Sequence, residues 1–449
     1  MDIPSFLNQF AGWVWNLPLI FLLVGTGLFF TLKTAGVQFL WFRHSLQCIS
    51  GRFDKKTDPG EITHFQALSA ALSATIGLGN IAGVAIAIHT GGPGAVFWMW
   101  VTGLVGMATK FVSCSLAVMF RSYHKDGSVS GGPMYYIELG LGKKWKPLAV
   151  VFAFFGIVAS FGIGNMFQSN QSAAILFESF SVPKWITGFV LASLVSLVII
   201  GGIKRIGQVA AKLVPGMCLI YISGALYVLI INIEQVPGLL LTIFHDAFHG
   251  TAAVGGVAGI AFKEVVIQGV RRACFSNEAG LGSAPMAHAA ARTNEPIREG
   301  TVAMMGPFID TIVVCTMTAL VILITGAWTQ DLNGINLAAF AFDSAVEGFG
   351  KYIVSIGVFL FAFSTMISWS YYGERCCEYL FGESAIMKFK VIFVIFVFTG
   401  AVWKLSAILD FSDAMAGLMA IPNLIGTIFL LPKVLEASND YFSRMKAPY

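Results

Sequence analysis

Charge is what this chain has least of. Asp, Glu, Lys and Arg make up 12% of its 449 residues, about half the share usual in a soluble domain. That scarcity argues against a water-soluble enzyme built around one large core. The net charge of +4 is too small to indicate a nucleic-acid partner. The seven cysteines (48, 114, 218, 274, 315, 376 and 377) form no CxxC pair and no His-rich cluster. Their odd number, mostly inside apolar segments, reads as small packing residues, with no disulfide framework or metal cluster. A phosphate-cradling GxxxxGK[ST] string is absent, which disfavours an ATP-driven pump in one chain. HExxH and GxSxG are absent too, so a membrane-embedded enzyme would lack its usual constellations. The first apolar stretch, 13–32, has neither a basic leader nor a small-residue cleavage site. It reads as a membrane span and not as a signal peptide. No low-complexity linker or soluble domain interrupts the chain, so 1–449 is expected to be a single transmembrane domain.

What is abundant is apolar. Hydrophobic residues make up 56% of the chain and the mean hydropathy is +0.77. Apolar runs reach membrane-spanning length repeatedly. Eleven spans are expected, at roughly 11–32, 62–89, 95–120, 148–178, 185–202, 209–232, 253–291, 301–327, 351–373, 387–404 and 413–432. Lys and Arg placement tests the count. Alternate connections and the C-terminal tail hold 21 of them, against Lys184, Lys351 and Lys404 on the opposite side. This bias puts the N-terminus outside and the C-terminus in the cytoplasm of a cell (plasma or inner) membrane.

One short string occurs twice. Gly77-Leu78-Gly79-Asn80 lies in span 62–89, and Gly280-Leu281-Gly282-Ser283 lies in span 253–291, 203 positions later. Two glycines in mid-span weaken a helix by about 1 kcal/mol each relative to Ala. Backbone groups freed there must face protein, water or a ligand. Glycine-interrupted helices at matching places in two halves point to a transporter's binding site. The offset suggests one leading helix (11–32) followed by two five-helix repeats, 62–232 and 253–432. Five is odd, so the repeats would be inverted in the membrane. The bland alternative is that Gly-x-Gly merely allows close helix packing. Two copies, each flanked by Ser, Thr or Asn, weigh against it.

At each break, the half-helix that begins offers N–H groups to a carboxylate. The half that ends offers carbonyls to Na⁺ or an ammonium. An amino acid is the simplest ligand of that shape. A channel would instead show a pore-lining repeat or a filter string.

The runs Thr75 to Asn80 and Phe275 to Ser283 resemble those of the alanine/glycine:cation symporters. So do Gly91-Gly92-Pro93, Gly131-Gly132-Pro133-Met134-Tyr135 and Trp369-Ser370-Tyr371-Tyr372-Gly373-Glu374. The resemblance extends from the first span to Pro422-Asn423. The family belongs to the amino acid–polyamine–organocation superfamily. It implies an all-α leucine-transporter fold and uptake of small neutral amino acids, such as alanine and glycine, by alternating access. The coupling ion would be Na⁺, with no other cofactor; the alternative is a symporter of the same fold coupled to H⁺ or carrying another small solute.

The resemblance also implies residues. Gly77, Leu78, Gly79 and Gly280 belong to the breaks, where the Leu78 and Gly79 amides would hold the substrate carboxylate. The Thr75 carbonyl would face the ammonium, and Phe275 would lid the site. The hydroxyls of Ser364 and Thr365, with the carbonyls of Ser73 and Ile76, would bind Na⁺, a hard cation suited to hard oxygen donors. Asn80 and Ser276 match a second Na⁺ site, whose partner on the 301–327 span is not evident from the sequence.

Gln168 lies in the polar, glycine-rich run Gly162 to Gln168 and is expected to line the pocket. Trp369, one turn after Thr365, either caps the pocket or is an interfacial tryptophan. Buried charges mark function by default. Glu278 either balances a cation or holds the unwound backbone, the second being favoured. Asp310 is a cation ligand or the partner of a basic group. Lys110, Lys263, Arg271 and Arg272 need partners or water, the two arginines pairing in a gate or snorkelling. His64 and His288 are expected at the surface.

Overall fold

The computed structural model describes residues 3–125, 127–249, 258–330, 332–346, 348–403 and 405–446. The first residues of the 253–291 span, and Lys404, lie outside them. Among the described residues, eight helices are long and apolar enough to cross a bilayer, and a bent pair makes a ninth. That pair is α3 (His64–Thr75) and the stretch Leu78–Gly91, which contains α4 (Ala82–Gly91), bent by 58°. Two of the eleven expected spans do not meet those criteria. One is Lys184–Ile199, with 16 residues. The other is the second broken helix, Ala258–Asn277 followed by Ala284–His288, whose first half carries Lys263, Glu264, Arg271 and Arg272.

Local chemistry explains where the elements start and stop. Asn16 caps α2 (Leu17–Lys33) and separates it from α1 (Ile3–Val14), so the leading span is itself broken. A reciprocal cap starts α3: the Gln66 amide donates to the Thr63 hydroxyl, and the Thr63 amide donates to the Gln66 side chain. Gly92, at φ 71°, ends α4, and Pro93 leads into α5 (Gly94–Met119). Next come α6 (Lys146–Phe161) and α7 (Phe167–Phe180), joined by a π-helical turn at Gly162–Met166. A second π-helical stretch, Phe308–Cys315, interrupts the Pro296–Ile324 span. A two-stranded ribbon, β1 (Ser122–Tyr123) against β2 (Val129–Ser130), lies in the connection after α5.

The two broken helices run antiparallel. Ile62, at the start of the first, forms a parallel bridge with Ala291, just beyond the second. At the opposite end, a Cβ on Gly91 would lie 3.2 Å from the Gln268 Cβ, so α4 finishes beside the Ala258–Asn277 helix.

Two helices fall in segments expected to be connections, Val236–His249 and Gly334–Ala345. At 14 and 12 residues they are too short to span, and they pack on α5 and on the Gly350–Phe381 helix respectively. Two spans run beyond their expected ends, to Phe381 and Lys446. The first reason is ionic. Glu374, Arg375 and Glu378 read as a boundary, but Arg375 pairs with both acids at 2.6 and 2.8 Å, and Lys390 pairs with Glu374 at 3.0 Å. A neutralised cluster lets the helix continue with its polar residues buried.

Candidate functional site

The first break is extended and held by side chains. Ile76 and Gly77 leave helical geometry with ψ 90° and φ −143°. The Gly77 amide donates to the Asn80 side-chain oxygen at 2.9 Å. The Leu78 amide faces the Gln168 side-chain oxygen at 3.5 Å. Gln168 is held in turn, its amide donating at 3.0 Å to the Ile163 carbonyl. That carbonyl lies in the π-helical turn, where the widened ladder leaves acceptors for side chains.

Beside this break lies the Gly350–Phe381 helix. The Ser73 hydroxyl donates to the Ser364 carbonyl at 2.7 Å, and the Ser364 hydroxyl reaches the Ser73 carbonyl at 3.2 Å. The Thr365 hydroxyl is buried with no hydrogen-bond partner among the described residues, and a Cβ on Gly77 would come within 2.5 Å of it. Expected Na⁺-site residues Ser73, Ile76, Ser364 and Thr365 thus share one small region, with one oxygen uncommitted.

The second break is built from left-handed residues. Glu278, Gly280 and Gly282 have φ of 56°, 88° and 90°. Glycine adopts this region freely, but a glutamate does so only under constraint. The constraint is visible: the Glu278 carboxylate accepts from the Ser283 hydroxyl and from the Trp369 indole N–H, the latter at 2.8 Å. Asn277 bonds the Ala279 amide at 2.8 Å, and Asn423 donates to the Gly280 carbonyl at 2.7 Å. The Glu278 carboxylate thus ties the break to Ser283 and to the Gly350–Phe381 helix. Trp369 is fully buried at the break and is no interfacial tryptophan.

Asp310 joins the two breaks. Its carboxylate accepts from Asn80 at 2.6 Å, from Ser276 at 2.9 Å and from Thr311 at 2.7 Å. Asn80 and Ser276 thus share one hydrogen-bond acceptor on the Pro296–Ile324 span. The breaks themselves touch: a Cβ on Gly79 would lie 3.0 Å from Ser276 Cα. Phe275 meets Phe167 edge-on at 5.5 Å, with Arg272 over its ring at 5.8 Å. Thr75 is buried nearby, its hydroxyl bonded within its own helix to Leu72.

The two ends of the molecule are closed differently. At one end Arg271 and Arg272 both reach a single Asp413 oxygen, at 2.5 and 3.0 Å, and Trp15 donates to the Asp413 carbonyl at 2.5 Å. The arginines are thus paired and do not snorkel. Beyond Phe167 on that side lies a cavity of about 480 Å³, whose walls include Asn170, Gln171, Glu178, Lys184 and Trp403.

At the other end His64 and His288 are buried, contrary to expectation, and both bond Glu299, His288 at 2.5 Å. Arg121 adds four bonds of 2.7–2.9 Å, to the carbonyls of Pro59, Ala289, Ala291 and Thr293. Sequence reasoning missed Asp413, Glu299, Arg121 and Asn423. The available signal was charge: Asp413 and Glu299 are acids inside or at the edge of apolar runs. Lys263, by contrast, is exposed and needs no partner.

Comparison with known proteins agrees with this geometry. The sodium:alanine symporter family matches the chain over residues 1–448. The sodium/alanine symporter AgcS of Methanococcus maripaludis is 45% identical over 452 residues, covering 99% of this chain and 98% of that protein. A probable sodium/glutamine symporter, GlnT of Bacillus subtilis, is 37% identical, covering 97% of this chain and 90% of that one. Among solved structures, MhsT in complex with L-phenylalanine superposes with a TM-score of 0.55 at 14% identity, covering 83% of this chain and 99% of that one. That likeness establishes the fold. Such a family is one of transporters and not of enzymes, and the apolar helices make the protein a multi-pass membrane protein. This chain belongs to the sodium:alanine symporter family.

Proposed function

We propose that the protein imports small neutral amino acids, alanine and glycine foremost, together with Na⁺ by alternating access. The observation that carries this reading is the meeting of two antiparallel helix breaks around uncommitted oxygen. Gly77 lies against the unpartnered Thr365 hydroxyl, beside the Ser73–Ser364 pair. In this reading Ser73, Ile76, Ser364 and Thr365 hold one Na⁺. Asn80, Ser276 and Asp310 form a second, acid-bearing cation position. Leu78, Gly79 and Gly280 border the substrate, with Thr75, Gln168, Phe275 and Trp369 around it.

The fold is read as eleven spans: a leading helix, then repeats 62–232 and 253–432 in inverted orientation. Antiparallel packing of the two broken helices supports the inversion. The 21-to-3 distribution of Lys and Arg supports an N-terminus outside and a C-terminus in the cytoplasm. The 480 Å³ cavity is then the outer vestibule, and the His64–Glu299–His288 end faces the cytoplasm.

Reconstituted liposomes test the whole reading. Alanine uptake should follow an inward Na⁺ gradient, and affinity should fall steadily from alanine through valine to leucine, because Phe275, Trp369 and Gln168 leave little room beyond a methyl. Uptake driven by a pH gradient and indifferent to Na⁺ would reverse the choice of ion. Equal affinity for alanine and leucine would sink the size argument. The GlnT relative makes glutamine the competitor to include.

A further inference from the structure

At the end of the molecule that holds His64, Glu299 and His288, two segments run side by side. One leads into the first broken helix and the other leaves the second. The Glu61 and Ile62 amides donate to the Ala290 carbonyl at 2.8 and 3.2 Å, the Arg292 amide to Ile62 at 2.7 Å and the Thr293 amide to Pro59 at 3.0 Å. The approach is close enough to need a glycine: Gly60 has φ 128°, and a Cβ there would overlap the Ala291 carbonyl oxygen.

Arg121, just beyond α5, closes over this ribbon and is 6% exposed. A guanidinium carries five N–H donors in one plane, and all five are engaged. Nη1 donates to the Ala289 and Ala291 carbonyls, Nη2 to those of Pro59 and Thr293, and Nε to the Tyr123 hydroxyl at 3.1 Å. One side chain therefore bonds both segments, Pro59 on the first and three carbonyls on the second. A lysine, with three donors and no fixed fork, cannot repeat this. Glu299 ties the same segments a second time, through His64 in α3 and His288 in the Ala284–His288 helix. Parting the segments would break four backbone bonds and strand a buried guanidinium together. Moving both as a pair breaks none of these.

We propose that Arg121 is a clamp that keeps this ribbon paired throughout the transport cycle, so that α3 and the Ala284–His288 helix move as one body when the cytoplasmic side opens. This rests on the alternating-access reading above and adds to it the unit that moves. Arg121 is a positioning residue, since the chain itself takes up all its donors.

A reversible tether tests the clamp. At the rim of the ribbon the Asn294 amide donates to Asp58 at 2.8 Å. Asp58→Cys and Asn294→Cys together accept a short bifunctional methanethiosulfonate, while the native cysteines are buried or half-buried. Alanine counterflow in liposomes, with equal Na⁺ on both sides, is measured before tethering, after it and after reduction. The tethered protein should keep at least half of the untethered rate; a larger loss that reduction reverses means that the segments must part, and overturns the proposal. Arg121→Ala and Arg121→Lys should each lower counterflow at least tenfold. The tether should restore at least a third of the wild-type rate to Arg121→Ala, which it would not do for a merely misfolded protein. Wild-type counterflow in Arg121→Ala, or no restoration by the tether, overturns the clamp.

Should Arg121→Ala not fold, hydrogen exchange of the wild type decides. The Glu61 and Ile62 amides and the Arg292 and Thr293 amides should share one protection and keep it when Na⁺ and alanine are added. Protection differing tenfold between the two segments, or lost on addition, overturns the proposal. A wild type without alanine counterflow defeats the substrate reading, yet leaves the shared protection as the test of the ribbon.

Discussion

Gly77-Leu78-Gly79 and Gly280-Leu281-Gly282 read alike, yet they fold in two different ways. In the first break neither glycine has a positive φ. Their value lies in the side chain they lack, because Thr365 presses on Gly77 and Ser276 on Gly79. In the second break both glycines are left-handed and Glu278 joins them. One string thus supplies close approach in one place and backbone freedom in the other. The first break is held by Asn80 and Gln168. The second is tied to Ser283, Trp369 and Asn423.

Asp310 is the residue on which both breaks depend, so its loss should have the largest effect. Asp310→Ala removes the common acceptor of Asn80, Ser276 and Thr311, and Na⁺-driven alanine uptake should fall by about two orders of magnitude, the scale of leaving buried donors without their acceptor. Survival of Na⁺-driven uptake would mean that the two breaks work independently.

The glycines come next, and they should part company. Gly282→Ala forces φ 90° on an alanine whose Cβ meets Phe152 and Pro133 at 2.8 Å. Strain and overpacking together should cost about 2–4 kcal/mol, read as a lowered melting temperature in detergent. Gly77→Ala carries no such backbone strain. Its Cβ presses on the Thr365 hydroxyl, so Na⁺ affinity should drop about tenfold, or ~1.4 kcal/mol, with a small change in melting. Equal melting shifts for the two variants would erase the distinction drawn here.

Asn423→Ala leaves the Gly280 carbonyl without its donor and should cost about 1–2 kcal/mol of stability. It should leave the substrate rank order unchanged in a competition assay. Arg271→Ala should have the smallest effect. Arg272 still holds Asp413, so the melting temperature in detergent should shift less than for Asn423→Ala. A larger shift would make Arg271 the principal partner of Asp413.

Local composition made part of this legible. Glycines in mid-span announced both breaks, whereas Thr75, Asn80, Phe275, Ser276 and Thr365 came from the family resemblance. Gln168 was visible as a polar residue in a polar run. Long-range pairing was not legible. Glu299 is 235 positions from His64, and Asp413 is 142 from Arg271. No periodicity links such residues, so two buried histidines were assigned to the surface. Helices Val236–His249 and Gly334–Ala345 were hidden for another reason: they are too short for a span and lie inside connections. Asp310 was noticed as a charge, but its joining of both breaks needed the third dimension.

The π-helical turn at Gly162–Met166 bears on how this chain can change over evolution. Such a turn amounts to one residue more than an α-helix would use. Deleting that residue would relax the ladder and rotate everything after it by about 100° about the helix axis. Gln168, six residues past the start of the turn, would swing off the first break, and Phe167 would leave Phe275. A one-residue gap in this segment should therefore mark a protein with a different binding site.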